Sequence, residues 1–254
     1  MDTTPEMTEV AELLCQANRV AVLTGAGISA ESGIPTFRGE EGLWKEYRAE
    51  ELATPEAFYQ NPKLVWEWYD WRRGLFAQKE PNLGHEVLAS WEKNLPSFTL
   101  ITQNIDGLHE RAGSKNILEL HGNAWKLRCT KEGAVTENYD TPLKKIPPLC
   151  PNCGALLRPH VVWFGESHDS SILDKSFLLS SSCDLMFIVG TSAVVQPAAS
   201  LPISAANAAA KVIEINPDPT PLTPYVDFSF KGKAGEVLPL LDESYKKILD
   251  LRKN

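Results

Sequence analysis

The sequence lacks the features of several protein classes. It has no run of about 18 apolar residues that could form a transmembrane helix. Its N-terminal stretch has neither the basic segment nor the apolar core of a signal peptide. Its 25 lysines and arginines are outnumbered by 33 aspartates and glutamates, so the net charge is -8 and there is no basic footprint for nucleic acid or an anionic membrane. We therefore expect a soluble, cytoplasmic protein that binds neither.

Cysteine is also scarce. Five cysteines, an odd number in 254 residues, argue against a disulfide framework. Cys150 and Cys153 form a Cys-x-x-Cys-Gly knuckle, which suits half of a structural zinc site. The other half is incomplete, because Cys129 is followed by Glu132 where a second thiolate is expected. Two alternatives stay open: zinc bound by three thiolates and Glu132, or a hairpin retained without the metal.

Short apolar runs predict the strands of one large sheet. Each is followed at once by small or polar residues, and this repeated pattern is typical of a doubly wound parallel α/β sheet. The runs cover residues 20–24, 98–101, 117–120, 185–189 and 212–215.

Two stretches interrupt this pattern. Residues 36–74 are charged, rich in Trp and Tyr and punctuated by proline, which favours short helices, and residues 123–160 are polar and contain three of the cysteines. The length fits one large core with a smaller inserted domain. We assign residues 1–35, 75–122 and 161–254 to the large domain and the two interrupting stretches to the small one.

A glycine-rich loop follows the first predicted strand. Gly25 and Gly27 permit positive φ or close approach of a ligand, and the amides beyond them can point at an anion. Gly33 comes six residues after Gly27 rather than three, so the loop does not match the dehydrogenase fingerprint G-x-G-x-x-G. By pattern alone, the loop is compatible with a dinucleotide but not specific for one.

Polar side chains follow two other predicted strands. Gln103, Asn104 and Asp106 lie just past the run at 98–101, where open α/β sheets bind their ligands. The alternative is that Asn104 or Asp106 caps a helix. His121 follows the next run and is a candidate general base near neutral pH, the alternative being a polar residue near the surface.

Tyr69 and Arg72 lie three residues apart on a predicted helix. They would share one helical face, where a phenol and a guanidinium can hold a carboxylate together. The alternative for such a pair is an ordinary surface contact.

Several unrelated motifs occur in one order between about residue 10 and residue 240. They are GAGIS, GIPTFRG, TQNIDGLH, the LHG around His121, the Cys-x-x-Cys remnant, HVVWFGE, and GTS before Asn216. Together they resemble the sirtuin family of NAD-dependent protein deacylases. The resemblance implies a Rossmann-like domain and a small domain formed by two insertions, a helical module and a degenerate zinc-ribbon-like module.

The resemblance also implies NAD as the cofactor. In this family the pyrophosphate would contact Gly25, Ala26, Gly27 and Ser29, and the adenosine half would contact Gly190, Thr191, Ser192 and Asn216. The cofactor loop over the nicotinamide ribose would include Phe37 and Arg38. The ribose and the nicotinamide amide would be held by Gln103, Asn104 and Asp106.

In the implied reaction, the acyl oxygen of a modified lysine displaces nicotinamide from the ribose. His121 then removes a proton from the ribose hydroxyls, and the products are free lysine and O-acyl-ADP-ribose. Asn104 and Asp106 would steady the positive charge that develops on the ribose. The implied partners are acylated-lysine proteins or peptides, which pair with the chain by β-augmentation.

One sirtuin subgroup removes acidic acyl groups, and its Tyr-x-x-Arg pair is similar to Tyr69 and Arg72. A small alanine characteristic of that subgroup matches Ala53. Val161, Trp163 and Phe164 would form the acyl-lysine channel. Because an unpaired buried carboxylate is costly, a buried Arg72 would favour succinyl, malonyl or glutaryl lysine over acetyl lysine, with some deacetylation remaining.

Three other activities are alternatives to deacylation. Mono-ADP-ribosyl transfer shares the cleavage of NAD and differs in the acceptor, a non-catalytic NAD or ADP-ribose sensor would not need His121, and a dehydrogenase is disfavoured by the glycine spacing. For the cysteine module, we expect the chain to fold without stoichiometric zinc. Activity would survive the absence of the metal if apolar packing, for example by Val135, Leu143 and Leu149, replaces the core of the hairpin.

Overall fold

The computed structural model describes residues 4–35 and 49–253. Phe37 and Arg38 lie outside the described residues, so their predicted contacts stay predictions. The strands are β1 Val20–Thr24, β2 Phe98–Thr102, β3 Ile117–Glu119, β4 Gly122–Cys129, β5 Val135–Glu137, β6 Leu157–Val161, β7 Leu185–Val189, β8 Lys211–Asn216 and β9 Phe228–Lys231.

Six of these strands form one parallel sheet in the order β3-β2-β1-β7-β8-β9. β1, β2 and β7 are buried along their whole length, which explains why their sequences are continuous apolar runs rather than alternating ones. The observed sheet confirms the α/β, Rossmann-like fold class. Strand β9 was not predicted from the sequence.

Helices cover both faces of this sheet. The helices are α1 Pro5–Gln16, α2 Ala26–Ala30, α3 Ala49–Leu52, α4 Pro55–Gln60, α5 Pro62–Ala77, α6 Leu83–Asn94, α7 Leu108–Ala112, α8 Ser170–Ser180, α9 Ser200–Asn207 and α10 Ala234–Lys253. One core joins α1, α6 and α10 to the sheet, and a second core joins α8 and α9 to its other face. Among the described helices, none has the length and apolarity to cross a bilayer.

Local sequence determines several helix ends. Periodicity predicts a helix over Glu6–Asn18 capped by Thr3 or Thr4, and the Thr4 side chain accepts the Met7 amide at 3.3 Å. The alanine-rich stretch at 205–210 predicts a helix; the observed helix begins earlier, at Ser200, and ends at Asn207, with Ala209 at a φ of +66°. The apolar pattern of residues 234–252 predicts closing helices, and the structure has a single helix there, α10, which contains a proline.

A smaller antiparallel sheet holds β4, β5 and β6 in the order β5-β4-β6. Its inner face packs on helices α3, α4 and α5, and the shared core includes Phe58, Trp66, Leu127 and Leu157. Both insertions therefore contribute to one core. The division into two domains at the residues given above stays a prediction.

Candidate active site

The glycine loop after β1 packs directly against the loop after β7. The Gly27 amide donates to the Gly190 carbonyl at 2.7 Å. A Cβ on Gly25 would lie 2.7 Å from the Thr191 Cβ, and a Cβ on Gly27 would lie 2.7 Å from the Gly190 Cα. Gly25 has a φ of -129°, so close backbone approach rather than positive φ requires glycine there.

This contact lies where the strand order reverses, between β1 and β7. Ligands of open α/β sheets bind at such a switch point. Ala26 begins the short helix α2, and Ser192 follows Thr191 after β7. At the end of β8, the Asn216 amide donates to the Asp218 carbonyl at 2.7 Å. The structure thus brings the predicted pyrophosphate and adenosine residues to one edge of the sheet.

Gln103 connects the β2 side of this edge to the β7 side. Its side-chain amide donates to Thr191 Oγ1 at 2.9 Å. Its backbone amide donates to the Thr24 carbonyl at the end of β1. Gln103 therefore joins three neighbouring strand ends across the crevice.

Asn104, Ser29 and Asp106 form a hydrogen-bonded group next to Gln103. The Asn104 amide donates to the Gly25 carbonyl at 3.0 Å and to Ser29 Oγ at 3.2 Å. Ser29 donates in turn to Asp106 Oδ2 at 2.8 Å, and Asp106 Oδ1 accepts the Leu108 amide. Burial raises the pKa of Asp106, while these hydrogen bonds act in the opposite direction.

Two buried histidines extend this group, and the sequence analysis missed both. The Asn82 amide donates to His85 Nδ1, so His85 Nε2 carries the hydrogen and faces Ser29 Oγ at 3.4 Å. His109 Nε2 lies 2.9 Å from Thr24 Oγ1. Burial lowers the pKa of His85 to about 4 and also lowers that of His109, so both rings are neutral at pH 7. No sequence pattern marked them, because their partners are distant in the chain.

His121 lies beside the same edge. Its Nδ1 is 2.9 Å from the Gln103 carbonyl oxygen, which can only accept, so Nδ1 carries the hydrogen and Nε2 keeps a lone pair. Burial lowers the pKa of His121, and the nearby His168 lowers it further, whereas the hydrogen bond to Gln103 raises it. The His121 carbonyl accepts the Val162 amide at 2.9 Å and so connects the base to the segment after β6.

That segment contains the residues predicted for the acyl-lysine channel. Ala53, Tyr69, Val161 and Trp163 are buried together in the core that the two insertions share. The Phe164 amide donates to the Ala53 carbonyl at 2.9 Å, and Phe164 is 51% exposed. The segment around Val161, Trp163 and Phe164, which is predicted to pair with a substrate peptide, therefore lies between His121 and this core.

Arg72 lies in the same region and is only 7% exposed. Its guanidinium carbon is 5.0 Å from the Trp68 ring centroid, 5.7 Å from that of Tyr69 and 5.3 Å from that of Phe76. Burial lowers the pKa of Arg72, and attraction by Tyr69 and Asp106 opposes that effect. Tyr69 and Arg72 are therefore a buried pair on α5 and not a surface contact.

The four donors of the cysteine module converge. One ligand atom from each of Cys129, Glu132, Cys150 and Cys153 lies within 4.8 Å of the others. Three thiols and a carboxylate are donors that zinc accepts. The expectation that apolar packing replaces the metal is wrong for Val135 and Leu149, because they are 45% and 42% exposed. Leu143 does pack against the core that the two insertions share.

Comparisons with known proteins agree with this geometry. The Sir2 family profile matches residues 25–197. The "NAD-dependent protein deacylase" of Aquifex aeolicus is 56% identical over 230 residues, which cover 89% of this chain and 96% of that protein.

Two solved structures are similar over nearly the whole chain. A Sir2 homologue in complex with NAD is 46% identical with a TM-score of 0.91, and the match covers 98% of this chain and 97% of that one. A Sir2 variant with a deacetylated p53 peptide and 3′-O-acetyl-ADP-ribose is 34% identical with a TM-score of 0.82, over 96% and 98% of the two chains. This chain belongs to the Sir2 family, the sirtuins.

Proposed function

We propose that this chain is an NAD-dependent protein lysine deacylase that prefers acidic acyl groups, namely succinyl, malonyl and glutaryl, over acetyl. The observation that carries the preference is the burial of Arg72 beside Tyr69 in the core next to Trp163. The wider activity is supported by membership of the Sir2 family and by relatives named NAD-dependent protein deacylases.

The sheet edge supplies an NAD site. Backbone amides and small residues at Gly25, Ala26, Gly27 and Ser29 would contact the pyrophosphate, and Gly190, Thr191, Ser192 and Asn216 the adenosine half. Bound NAD supplies a ribose carbon that accepts the acyl oxygen as nicotinamide leaves. Gln103, Asn104 and Asp106 would hold the ribose and the nicotinamide amide.

Hydrogen bonds to the surrounding chain position Asn104 and Asp106. Each is fixed by at least two hydrogen bonds to the surrounding chain. Such preorganised dipoles lose little free energy to reorientation when charge develops nearby. They would stabilise positive charge on the ribose, which is the role that the resemblance to the sirtuins implies.

His121 would act as the general base. Its Nε2 lone pair is available because Nδ1 donates to Gln103, and burial keeps the ring neutral at pH 7. A neutral imidazole can take a proton from a ribose hydroxyl. The base and the acyl channel are adjacent, since His121 and Val162 share a backbone hydrogen bond.

The acidic preference follows from the surroundings of Arg72. A distal carboxylate that reaches Arg72 and Tyr69 would gain a charge-assisted hydrogen bond in a region closed to water. Ala53 leaves room for the longer acyl chain. An acetyl group has no carboxylate that could pair with Arg72. It would still bind, but kcat/KM would be lower than for an acidic acyl group.

Zinc would be held by Cys129, Glu132, Cys150 and Cys153. The convergence of these donors favours the first of the two alternatives left open by the sequence. Cys129 ends β4 and is buried with Cys150 in the core that the two insertions share, Cys153 packs against that core, and Glu132 is exposed. A zinc ion held there would have a structural role.

A product assay tests the proposed activity. The purified chain is incubated with NAD and a succinyl-lysine peptide or the matched acetyl-lysine peptide, and the products are identified by mass spectrometry. We expect free lysine, nicotinamide and O-acyl-ADP-ribose, with the higher kcat/KM for the succinyl peptide. ADP-ribose attached to protein with the acyl group intact would instead indicate ADP-ribosyl transfer. If both peptides keep their acyl groups, the proposal is overturned.

A further inference from the structure

We propose that Trp163, clamped by Arg158 and Glu166, orients the Tyr69 hydroxyl so that its proton faces the acyl carboxylate. Arg158, Glu166 and Trp163 would then be positioning residues for acyl selectivity. The inference rests on the proposed function, because it concerns the acidic acyl group that Tyr69 and Arg72 are proposed to bind.

The first step of the argument is the direction of one hydrogen bond. Trp163 Nε1 lies 2.9 Å from the Tyr69 hydroxyl oxygen. An indole N–H can only donate, so the Tyr69 oxygen accepts and its own proton points away from Trp163. A phenol whose oxygen is already engaged in this way is a donor to other groups, and an acyl carboxylate is an acceptor.

The second step is the immobility of Trp163. Glu166 Oε2 accepts the Trp163 backbone amide at 2.9 Å. The guanidinium carbon of Arg158 lies 3.5 Å from the centroid of the Trp163 ring. Phe58 contacts the same ring, with centroids 5.3 Å apart. The indole therefore has contacts that hold both its backbone and its ring.

The third step is the pairing of the clamp itself. Arg158 donates to both carboxylate oxygens of Glu166, at 2.5 and 2.8 Å, and also to the Val161 carbonyl at 3.0 Å. Such a bidentate pair has a fixed planar geometry. Because Arg158 and Glu166 neutralise each other, the clamp fixes Trp163 without adding net charge beside the acyl pocket.

The protonation state of Tyr69 fits this role. Burial raises the pKa of Tyr69, while Arg72 and the Trp163 hydrogen bond act in the opposite direction. The hydroxyl is therefore protonated at neutral pH and can donate. Arg72 would provide the charge for the carboxylate, and Tyr69 would provide a directed hydrogen bond.

The test is a double-mutant cycle with Trp163→Phe and Tyr69→Phe. Trp163→Phe removes the indole donor but keeps an aromatic ring. We expect it to raise KM for the succinyl peptide about tenfold, with a smaller effect on kcat and a several-fold smaller loss for the acetyl peptide. In the Tyr69→Phe background, the same change should lose most of its effect on selectivity, since the oxygen it orients is gone.

Glu166→Gln gives an independent test if Trp163→Phe folds poorly. It keeps an acceptor for the Trp163 amide but weakens the pairing with Arg158. We expect a smaller decrease in the succinyl-to-acetyl ratio of kcat/KM, which again disappears with Tyr69→Phe. Losses that are equal for the two peptides, or that persist in the Tyr69→Phe background, would overturn the inference.

Arg72→Met separates this inference from the proposed function. If Arg72→Met removes the succinyl preference but Trp163→Phe and Glu166→Gln leave it intact, only the positioning inference fails. If Arg72→Met leaves the preference intact, the proposed acidic specificity fails, and the inference fails with it.

Discussion

The Nδ1 atom of His121 donates its hydrogen to the backbone carbonyl of Gln103, 2.9 Å away. One backbone hydrogen bond thereby fixes both the tautomer of the proposed base and its position beside the residues after β2. The His121 ring also lies 5.5 Å from the ring of His168, measured between centroids. Burial lowers the pKa of His121, the Gln103 hydrogen bond raises it, and His168 lowers it further.

The first prediction concerns the acid limb of the pH profile. His121 must be neutral to act as a base, and its pKa is lowered chiefly by burial and further by His168. Activity should therefore fall on acidification only below the ordinary histidine pKa of about 6.5. His168→Asn removes one of the effects that lower the pKa, so the acid limb of kcat/KM should move to higher pH.

Profiles of kcat/KM against pH, measured for the wild type and His168→Asn with the same peptide, check this prediction. An acid limb that does not move, or that moves to lower pH, would argue against electrostatic coupling between the two rings. His121→Ala should abolish deacylation and serves as the reference for the base.

The second prediction concerns Gly122, the residue after the base. It has a φ of +75°, and an added Cβ would collide with the backbone carbonyl of His160 on the neighbouring strand. Gly122→Ala should therefore destabilise the small sheet by several kcal/mol, because backbone must move in addition to the usual left-handed strain of about 1–2 kcal/mol.

Gly133→Ala is the matched control for this substitution. Gly133 has a similar φ of +69° but no atom within 4 Å of the added Cβ among the described residues. Thermal melting of the two variants isolates the collision from the backbone strain. Equal decreases in Tm would show that the contact with His160 does not determine the effect.

The third prediction concerns the cysteine module. If zinc is bound by Cys129, Glu132, Cys150 and Cys153, metal analysis should find about one zinc per chain, and chelation should lower Tm. Glu132→Ala should lose zinc at lower chelator concentration than the wild type. Glu132→Cys, which restores a fourth thiolate, should hold zinc at least as firmly. A metal-free wild type whose Tm is insensitive to chelators would instead support a hairpin retained without zinc.

Much of the architecture could be predicted from local sequence. The strands β1, β2, β7 and β8 were predictable because parallel strands covered on both faces need continuous apolar residues. The polar residues after these strands were predictable as site candidates, since the carboxyl ends of parallel strands meet at one edge. The spacing of Tyr69 and Arg72 correctly placed them on one helical face, although only the fold shows that this face is buried.

The parts that sequence reasoning missed depend on contacts between distant residues. His85 reaches Ser29 across 56 positions, and Trp163 reaches Tyr69 across 94. No local pattern indicates either contact, because the hydrogen bonds exist only once the insertions and the sheet have packed. The same holds for the glycines: their tight contact with the loop after β7 is a property of two separate loops and not of either sequence alone.

The last prediction concerns the acyl preference. Arg72→Met removes the proposed partner of the acyl carboxylate but keeps an unbranched apolar side chain. Because removing one member of a buried charge pair costs about 3–5 kcal/mol, kcat/KM for a succinyl peptide should fall by about 100-fold or more. Deacetylation should fall far less, since an acetyl group has no charge to pair.

Arg73→Met is the matched control in the same helix. Arg73 is also buried, but it donates to the Asn138 carbonyl and to the Asp140 carbonyl, and its guanidinium lies 5.1 Å from the Trp125 ring centroid. Its loss should lower stability without changing the preference between the two acyl groups.

The most direct measurement is therefore kcat/KM with NAD on matched succinyl and acetyl peptides for the wild type, Arg72→Met and Arg73→Met. The account predicts a succinyl preference that disappears in Arg72→Met and survives in Arg73→Met. A wild type that prefers acetyl lysine, or an Arg72→Met variant that loses both activities equally, would contradict it.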